Sequence, residues 1–266
     1  MKSYEGVFKD LRRKNQGALI AFVVIGYPDY ETSLKIVKKI IDAGADILEL
    51  GLPFSDPISD GPTIQSANTR ALSNGINTDK AFEFVKEIRK HSDIPIGILT
   101  YYNLVYQRGT EKFYADSKDA GINSILIADM PIEESEIICK YSEENKVDTV
   151  FMISQLTEDD RIKKIAEKTT GFIYVVARLG ITGAKSTLED STLTLVKKIR
   201  NLTNKPVCVG FGLSNPDQVK NVIQAGADGA IIGSAIVNLI AENQNNEEIM
   251  LSKVHEYIAD LKKATI

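Results

Sequence analysis

The sequence predicts an α/β chain folded as a single (β/α)8 barrel, the TIM-barrel class, with an extra helix ahead of the first strand. Three observations carry this reading. Eight short apolar runs alternate with longer amphipathic runs along the 266 residues, with no polar linker or low-complexity break between them. Helix ends carry glycine just before the next strand, as in Ala43-Gly44-Ala45-Asp46, Ala120-Gly121 and Ala225-Gly226-Ala227-Asp228. The first strand leads into Gly26-Tyr27-Pro28-Asp29 rather than the G-x-G-x-x-G turn of a doubly wound open sheet, the competing architecture. One barrel domain over 1–266 is the expected organisation, since barrels of roughly 250 residues are commonly one domain.

The elements follow in order. Residues 3–14 place Val7, Phe8 and Leu11 on one face of an N-terminal helix. Strands are expected at 18–25, 46–51, 95–100, 123–128, 147–153, 172–177, 206–211 and 228–233. Helices are expected at 31–43, 63–73 with 78–91, 110–120, 133–145, 158–169, 189–202 and 215–225. A short helix near 234–242 and a terminal one at 246–264 complete the chain. Arg12-Arg13-Lys14 before the apolar run 18–26 imitates a targeting signal. The run is too short to span a bilayer, lacks a small-residue cleavage site and reads better as a buried parallel strand.

Composition narrows the function. With 43% hydrophobic and 26% charged residues the chain can bury a sizeable core. A net charge of -4 and a pI near 5.4 supply no polycation for nucleic acid or an anionic membrane. Cys139 and Cys208 read as ordinary thiols of a reducing compartment, so a cytoplasmic location is expected. His91 and His255 lie far apart in charged helical contexts, which leaves little for a histidine metal site, and none is expected.

In a barrel, chemistry belongs at the carboxyl ends of the strands. Those ends read Gly26, Glu49, Tyr101, Asp129, Ser154, Arg178, Phe211-Gly212 and Gly233-Ser234. No lysine among them serves a Schiff-base aldolase, and no cluster of His and carboxylates serves a metal-assisted enolisation. Glu49 stands out as an ionisable group inside the apolar run Ile47-Leu48-Glu49-Leu50. Burial disfavours its charged form, so its pKa should rise until it can donate a proton near neutrality. A rigid loop with Pro53, Pro57 and Pro62 then delivers Asp60, which a polar, glycine-flanked setting should keep ionised. Two carboxylates in unlike environments divide acid and charge-stabilising roles. Alternatively, Glu49 satisfies a neighbouring backbone and Asp60 caps the next helix.

Two further loops belong to the same end. Gly210-Phe211-Gly212-Leu213-Ser214-Asn215 and Gly233-Ser234-Ala235 follow the seventh and eighth strands, where barrels often bind phosphate on free backbone N–H groups. Small residues there also let loops turn tightly. Arg178-Leu179-Gly180-Ile181-Thr182-Gly183-Ala184-Lys185-Ser186-Thr187 reads as a lid over ligand or as a plain connector.

These segments together resemble the tryptophan synthase α subunit family across nearly the whole chain. Glu49 to Thr63 is the most specific match, keeping the carboxylates, prolines and glycines of the family motif. Tyr101-x-Asn103, Asp129-Met130-Pro131-x-Glu133-Glu134, Gly180-Ile181-Thr182-Gly183, Gly210-Phe211-Gly212 and Ile232-Gly233-Ser234 follow in family order. Ala177 and Leu179 stand where the family often has Ser or Thr, and Met130 where it is usually leucine-like. The resemblance implies a lyase that cleaves indole-3-glycerol phosphate to indole and glyceraldehyde 3-phosphate. It implies Glu49 as proton donor, Asp60 as partner of the indole N–H and Tyr174 as an aid to proton movement. Phe22, Leu99, Tyr101, Ala128, Ile153 and Phe211 would contact substrate, and Thr182, Gly183, Gly212, Gly233 and Ser234 would serve its phosphate end.

It further implies a pyridoxal-phosphate-dependent β subunit as partner in an α2β2 assembly, with no cofactor in this chain. Asp56 would couple the two subunits, beside a mouth displaying Phe54-Ser55-Asp56-Pro57-Ile58 and Tyr101-Tyr102-Asn103-Leu104-Val105-Tyr106. Competing readings are a phosphosugar isomerase or epimerase, and a catalytically weak barrel retained as an allosteric activator.

Overall fold

The structure, a computed structural model, describes residues 1–177 and 190–266. Its sheet is built from β1 (Ala18–Val24), β2 (Ile47–Gly51), β3 (Ile96–Thr100), β4 (Ser124–Ile127), β5 (Asp148–Thr149), β6 (Phe151–Ile153), β7 (Ile173–Val176), β8 (Val207–Gly210) and β9 (Gly229–Ile232). All neighbours pair in parallel, in the order β5-β4-β3-β2-β1-β9-β8-β7-β6. Such strands are covered on both faces, and every residue of β1 and β2 is buried.

The two outermost segments are consecutive in the chain. β5 pairs with β4, placing Ser124 opposite Asp148, and β6 pairs with β7, placing Phe151 opposite Ile173. Only Val150 separates them, so one bent strand bridges both edges and the sheet curls into a barrel. The expected strand 147–153 is thus split. Val150 N–H still bonds the Ile125 carbonyl at 3.3 Å, while the Thr149 carbonyl already accepts from Gly171 N–H at 3.0 Å. The strand changes neighbour at that point.

The helices are α1 (Tyr4–Arg13), α2 (Tyr30–Asp42), α3 (Pro62–Ser73), α4 (Thr78–Arg89), α5 (Tyr102–Arg108), α6 (Thr110–Ala120), α7 (Glu136–Asn145), α8 (Asp159–Lys168), α9 (Asp190–Leu202), α10 (Pro216–Gln224), α11 (Ser234–Glu242) and α12 (Glu247–Lys263). Two of them differ from expectation. α5 replaces a loop, because its first-turn N–H at Tyr102 is capped by the Asp129 carboxylate at 2.7 Å, a partner from beyond β4. The helix expected over 133–145 is a 3₁₀ turn, Ile132–Glu134, followed by α7. Ser135 Oγ donates back to the Ile132 carbonyl at 2.6 Å, a local bond that competes with a continuous helix.

The extra helix α1 closes the amino end of the barrel. Tyr4 and Phe8 pack edge-on against Phe172 at 5.5 and 6.3 Å, and Tyr4 Oη bonds Ser124 Oγ at 2.8 Å. The repeated Ala-Gly-Ala-Asp turns serve this same end. Gly44 and Gly226 both have φ of 102°, where a side chain would be strained. Each turn delivers an aspartate that accepts an N–H at the start of the preceding strand. Asp46 Oδ2 takes Leu19 N–H at 2.7 Å, and Asp228 Oδ2 takes Val207 N–H at 2.9 Å. Asp46 also pairs with Lys262, and Asp228 with Arg12 and Arg200. Asn123, after Gly121, takes Ile96 N–H at 2.9 Å and so repeats the device with an amide. With the amino end fixed in this way, the carboxyl ends are left for the site.

Candidate active site

Glu49 stands in the middle of β2, opposite Phe22 of β1 and Gly97 of β3. It is 4% exposed, and Oε2 is buried without a hydrogen-bond partner. Burial first, and the charge of Asp60 second, push its pKa up to about 8. At neutrality Glu49 therefore carries its proton.

Asp60 lies just before α3, whose N-cap is Gly61 and whose first residue is Pro62. The polar, glycine-flanked loop expected for it is folded in, and Asp60 is 8% exposed. Burial raises its pKa to about 6, and hydrogen bonds from Tyr101 and Asn68 restrain the rise. Asn68 Nδ2 donates to Oδ2 at 3.3 Å, while Gln65 Nε2 holds the Asp60 carbonyl at 2.8 Å. Near neutrality Glu49 thus holds its proton more firmly than Asp60 does.

A cavity of about 440 Å³ opens beside this pair. Phe22, Leu99, Tyr174, Phe211 and Ile231 form its apolar wall, with Asp60 at the edge. The Tyr174 hydroxyl stays neutral, its pKa held well above the usual phenol value by burial and then by the charges of Glu49 and Asp60. Its ring meets Phe211 edge-on at 5.9 Å. Gly212, Gly233 and Ser234 line the other end. There Gly233 is the N-cap of α11, so the first N–H groups of that helix and its dipole favour an anion.

Other expected site residues stand elsewhere. Glu49 and Tyr101 do not line the cavity, and neither do Ala128 and Ile153. Tyr101 is 2% exposed; it bonds Asp60, accepts Ser59 N–H at 3.2 Å and stacks on Phe54 at 5.1 Å. It is thus a prop for Asp60, where the sequence placed it on a displayed rim. Asp56 is exposed on the turn before Asp60, beside Ile58, which is 76% exposed. Thr182, Gly183 and the expected lid lie outside the described residues. Cys139 is a half-buried and Cys208 a buried free thiol.

Several residues of the site escaped sequence reading. Asn68 had a signal, as a polar residue among Ile64, Ala67 and Ala71 on the buried face of α3. Asn238 and Glu242 follow the expected Ser234 at helical spacing along α11 and line the cavity with it. Tyr257, from α12, had none.

The family model described as "Tryptophan synthase alpha chain" matches residues 8–266. The chain belongs to that family. It is 44% identical to the tryptophan synthase alpha chain of Methanothermobacter thermautotrophicus, over 98% of this chain and 96% of the relative. Among solved structures, it is similar to a Mycobacterium tuberculosis tryptophan synthase chain with a TM-score of 0.91 and 29% identity, covering 100% of this chain and 99% of that one. A chain of "the tryptophan synthase a2b2 complex from a hyperthermophile, Pyrococcus furiosus" superposes with a TM-score of 0.86 and 36% identity, over 92% of this chain and 98% of that one. The tryptophan synthase alpha family cleaves indole-3-glycerol phosphate, and this chain is a carbon–carbon lyase of tryptophan biosynthesis. Among the described residues no helix is long and apolar enough to cross a membrane.

Proposed function

We propose that Glu49 and Asp60 carry the cleavage between them, Glu49 as general acid and Asp60 as the fixed negative charge. Breaking the bond between the indole ring and its glycerol phosphate side chain begins with protonation of the ring carbon that bears the side chain. Glu49 supplies that proton. The ring nitrogen becomes cationic, and ionised Asp60 accepts its N–H hydrogen bond and stabilises the charge. Glu49, now a carboxylate, takes the proton of the hydroxyl on the attached carbon. That carbon becomes the aldehyde of glyceraldehyde 3-phosphate, and the electrons of the broken bond return to the ring as indole is released. Tyr174, neutral and beside both acids, assists the proton's movement. Phe22, Leu99 and Phe211 hold the indole, and Gly212, Gly233 and Ser234 hold the phosphate.

The observation that supports this best is the unlike setting of the two buried carboxylates, Glu49 with an unpartnered Oε2 and Asp60 held by donors from Asn68 and Tyr101. Glu49 does not line the cavity, so this reading requires its carboxyl to turn toward the ring when substrate fills the space. Its unpartnered Oε2 has no hydrogen bond to break on turning. The test is indole release from indole-3-glycerol phosphate by Glu49→Gln, which keeps the shape and removes the proton. At least a hundredfold loss is expected, within the roughly 10²–10⁴-fold range for such groups. A loss under about tenfold overturns the assignment, and no indole from the parent leaves only an activator role.

The assembly follows from the same relatives. The solved Pyrococcus furiosus protein is an a2b2 complex. We propose the same assembly here, the pyridoxal phosphate carried by the β subunit, in the cytoplasm, with the chain acting as one barrel domain.

A further inference from the structure

The turn from β8 into α10 carries two successive residues with left-handed backbone, Phe211 at φ 66° and Gly212 at φ 92°. Glycine takes that conformation freely, but phenylalanine does not, so the surrounding structure must hold the turn in place. Two residues beyond Gly212, both backbone groups of Ser214 are fixed by side chains. Its N–H donates to Gln218 Oε1 at 2.7 Å, from a buried side chain of α10. Its carbonyl accepts from Tyr257 Oη at 2.7 Å, and Tyr257 reaches over from α12. Ser214 and Tyr257 line the same cavity as Phe211 and Gly212.

α12 is a firm anchor. Met250, Val254, Ile258 and Leu261 bury one face of it, and Lys262 near its end pairs with Asp46 at 2.7 Å. Burial pushes the Tyr257 hydroxyl up to about 12, so it remains a donor throughout the working range. Ser214 has no other clamp from outside its own turn and α10 among the bonds described.

We infer that Tyr257 is a positioning residue: through its hydrogen bond to Ser214, α12 holds the Phe211–Gly212 turn in the shape that receives the substrate's phosphate. This rests on the placement of the phosphate at Gly212, Gly233 and Ser234 proposed above. The N-terminus of α11 follows β9 and lies outside the turn, so Tyr257 sharpens binding and leaves the proton chemistry of Glu49 and Asp60 alone.

Tyr257→Phe keeps the ring and deletes only the donor. The KM for indole-3-glycerol phosphate and the Kd for glycerol 3-phosphate should both rise about fivefold, the equivalent of one hydrogen bond of about 1 kcal/mol. The kcat should stay within about twofold, as for a group that binds ground and transition states alike. Affinity for indole-3-propanol, which lacks phosphate and meets the turn only through Phe211, should fall less than that for glycerol 3-phosphate, whereas general loosening of the barrel would weaken both alike. Ser234→Asp, measured alongside, separates the two layers of the reading. If it weakens glycerol 3-phosphate while Tyr257→Phe does not, the phosphate site stands and the role of Tyr257 is overturned. If neither variant alters that affinity, the phosphate lies elsewhere and both fall. A fall in kcat without a rise in KM also overturns the role.

Discussion

The hydroxyl of Tyr174 occupies the space that a side chain on Gly210 would need. A Cβ built at Gly210 overlaps Tyr174 Oη and lies 2.6 Å from its Cζ. The glycine on β8 thus lets the tyrosine of β7 lie across its strand and reach the cavity wall. Gly210→Ala should therefore displace Tyr174 and cost about 2 kcal/mol, as overpacking of a full core does. Urea unfolding checks the stability, and indole release should fall at least tenfold, on the order of the loss for a misplaced group.

Proton bookkeeping yields a pH profile. Glu49 must hold its proton and Asp60 must have lost its own, so kcat/KM should be highest between about 6 and about 8 and fall on either side. Removing a donor from Asp60 with Asn68→Leu should move the acid limb upward and leave the alkaline limb in place. An acid limb unmoved in that variant would show that Asn68 does not tune Asp60.

The same groups link stability to pH. Both folded pKa values lie above those of the unfolded chain, so the native state holds more protons through this window. Stability is full below the unfolded carboxylate range and is lost as pH rises through about 6 for Asp60 and about 8 for Glu49. Glu49→Gln should remove its part, so that variant is expected to exceed the parent in urea midpoint at pH 9 and not at pH 5. Equal midpoints at both pH values would place Glu49 in a less costly setting.

At the amino end, Asp228 is the acceptor for Val207 N–H and for two arginines. Asp228→Ala leaves the buried Val207 N–H unmatched and takes the partner from two part-exposed arginines, for a loss of about 2 kcal/mol. Residual folded protein should cleave substrate at close to the parent's rate, since Asp228 is not among the residues that line the cavity. Urea unfolding and indole release on one preparation measure both.

Asp56 concerns the partner. It is exposed on the turn that ends in Asp60, and its Ser55 neighbour donates to its carboxylate. Asp56→Ala should keep unassisted cleavage within about threefold, as for a surface change, and lose most of the stimulation by the β subunit. A titration of β subunit against indole release compares the two. If the variant is activated like the parent, Asp56 only stabilises its loop.

The sequence by itself determined the barrel, since covered parallel strands read as unbroken apolar runs and three helices end on a readable glycine, Gly44, Gly121 and Gly226, just before the next strand. It also determined Glu49, because one ionisable residue inside such a run can only be buried. The repeat of Ala-Gly-Ala-Asp was visible as well, although its use as a strand clamp was not. Tertiary structure alone decided the setting of Asp60. Its loop reads as polar, yet Tyr101 from the end of β3 and Asn68 from α3 fold over it and supply donors that composition cannot locate. α5 was hidden for the same reason, as its cap is Asp129, 27 residues away. Tyr257 reaches Ser214 across 43 residues. Periodicity reports which face of an element is buried, and burial sets the pKa of a group already on that face. A hydrogen bond between distant elements leaves no periodic trace, because it depends on where the barrel brings the two ends together.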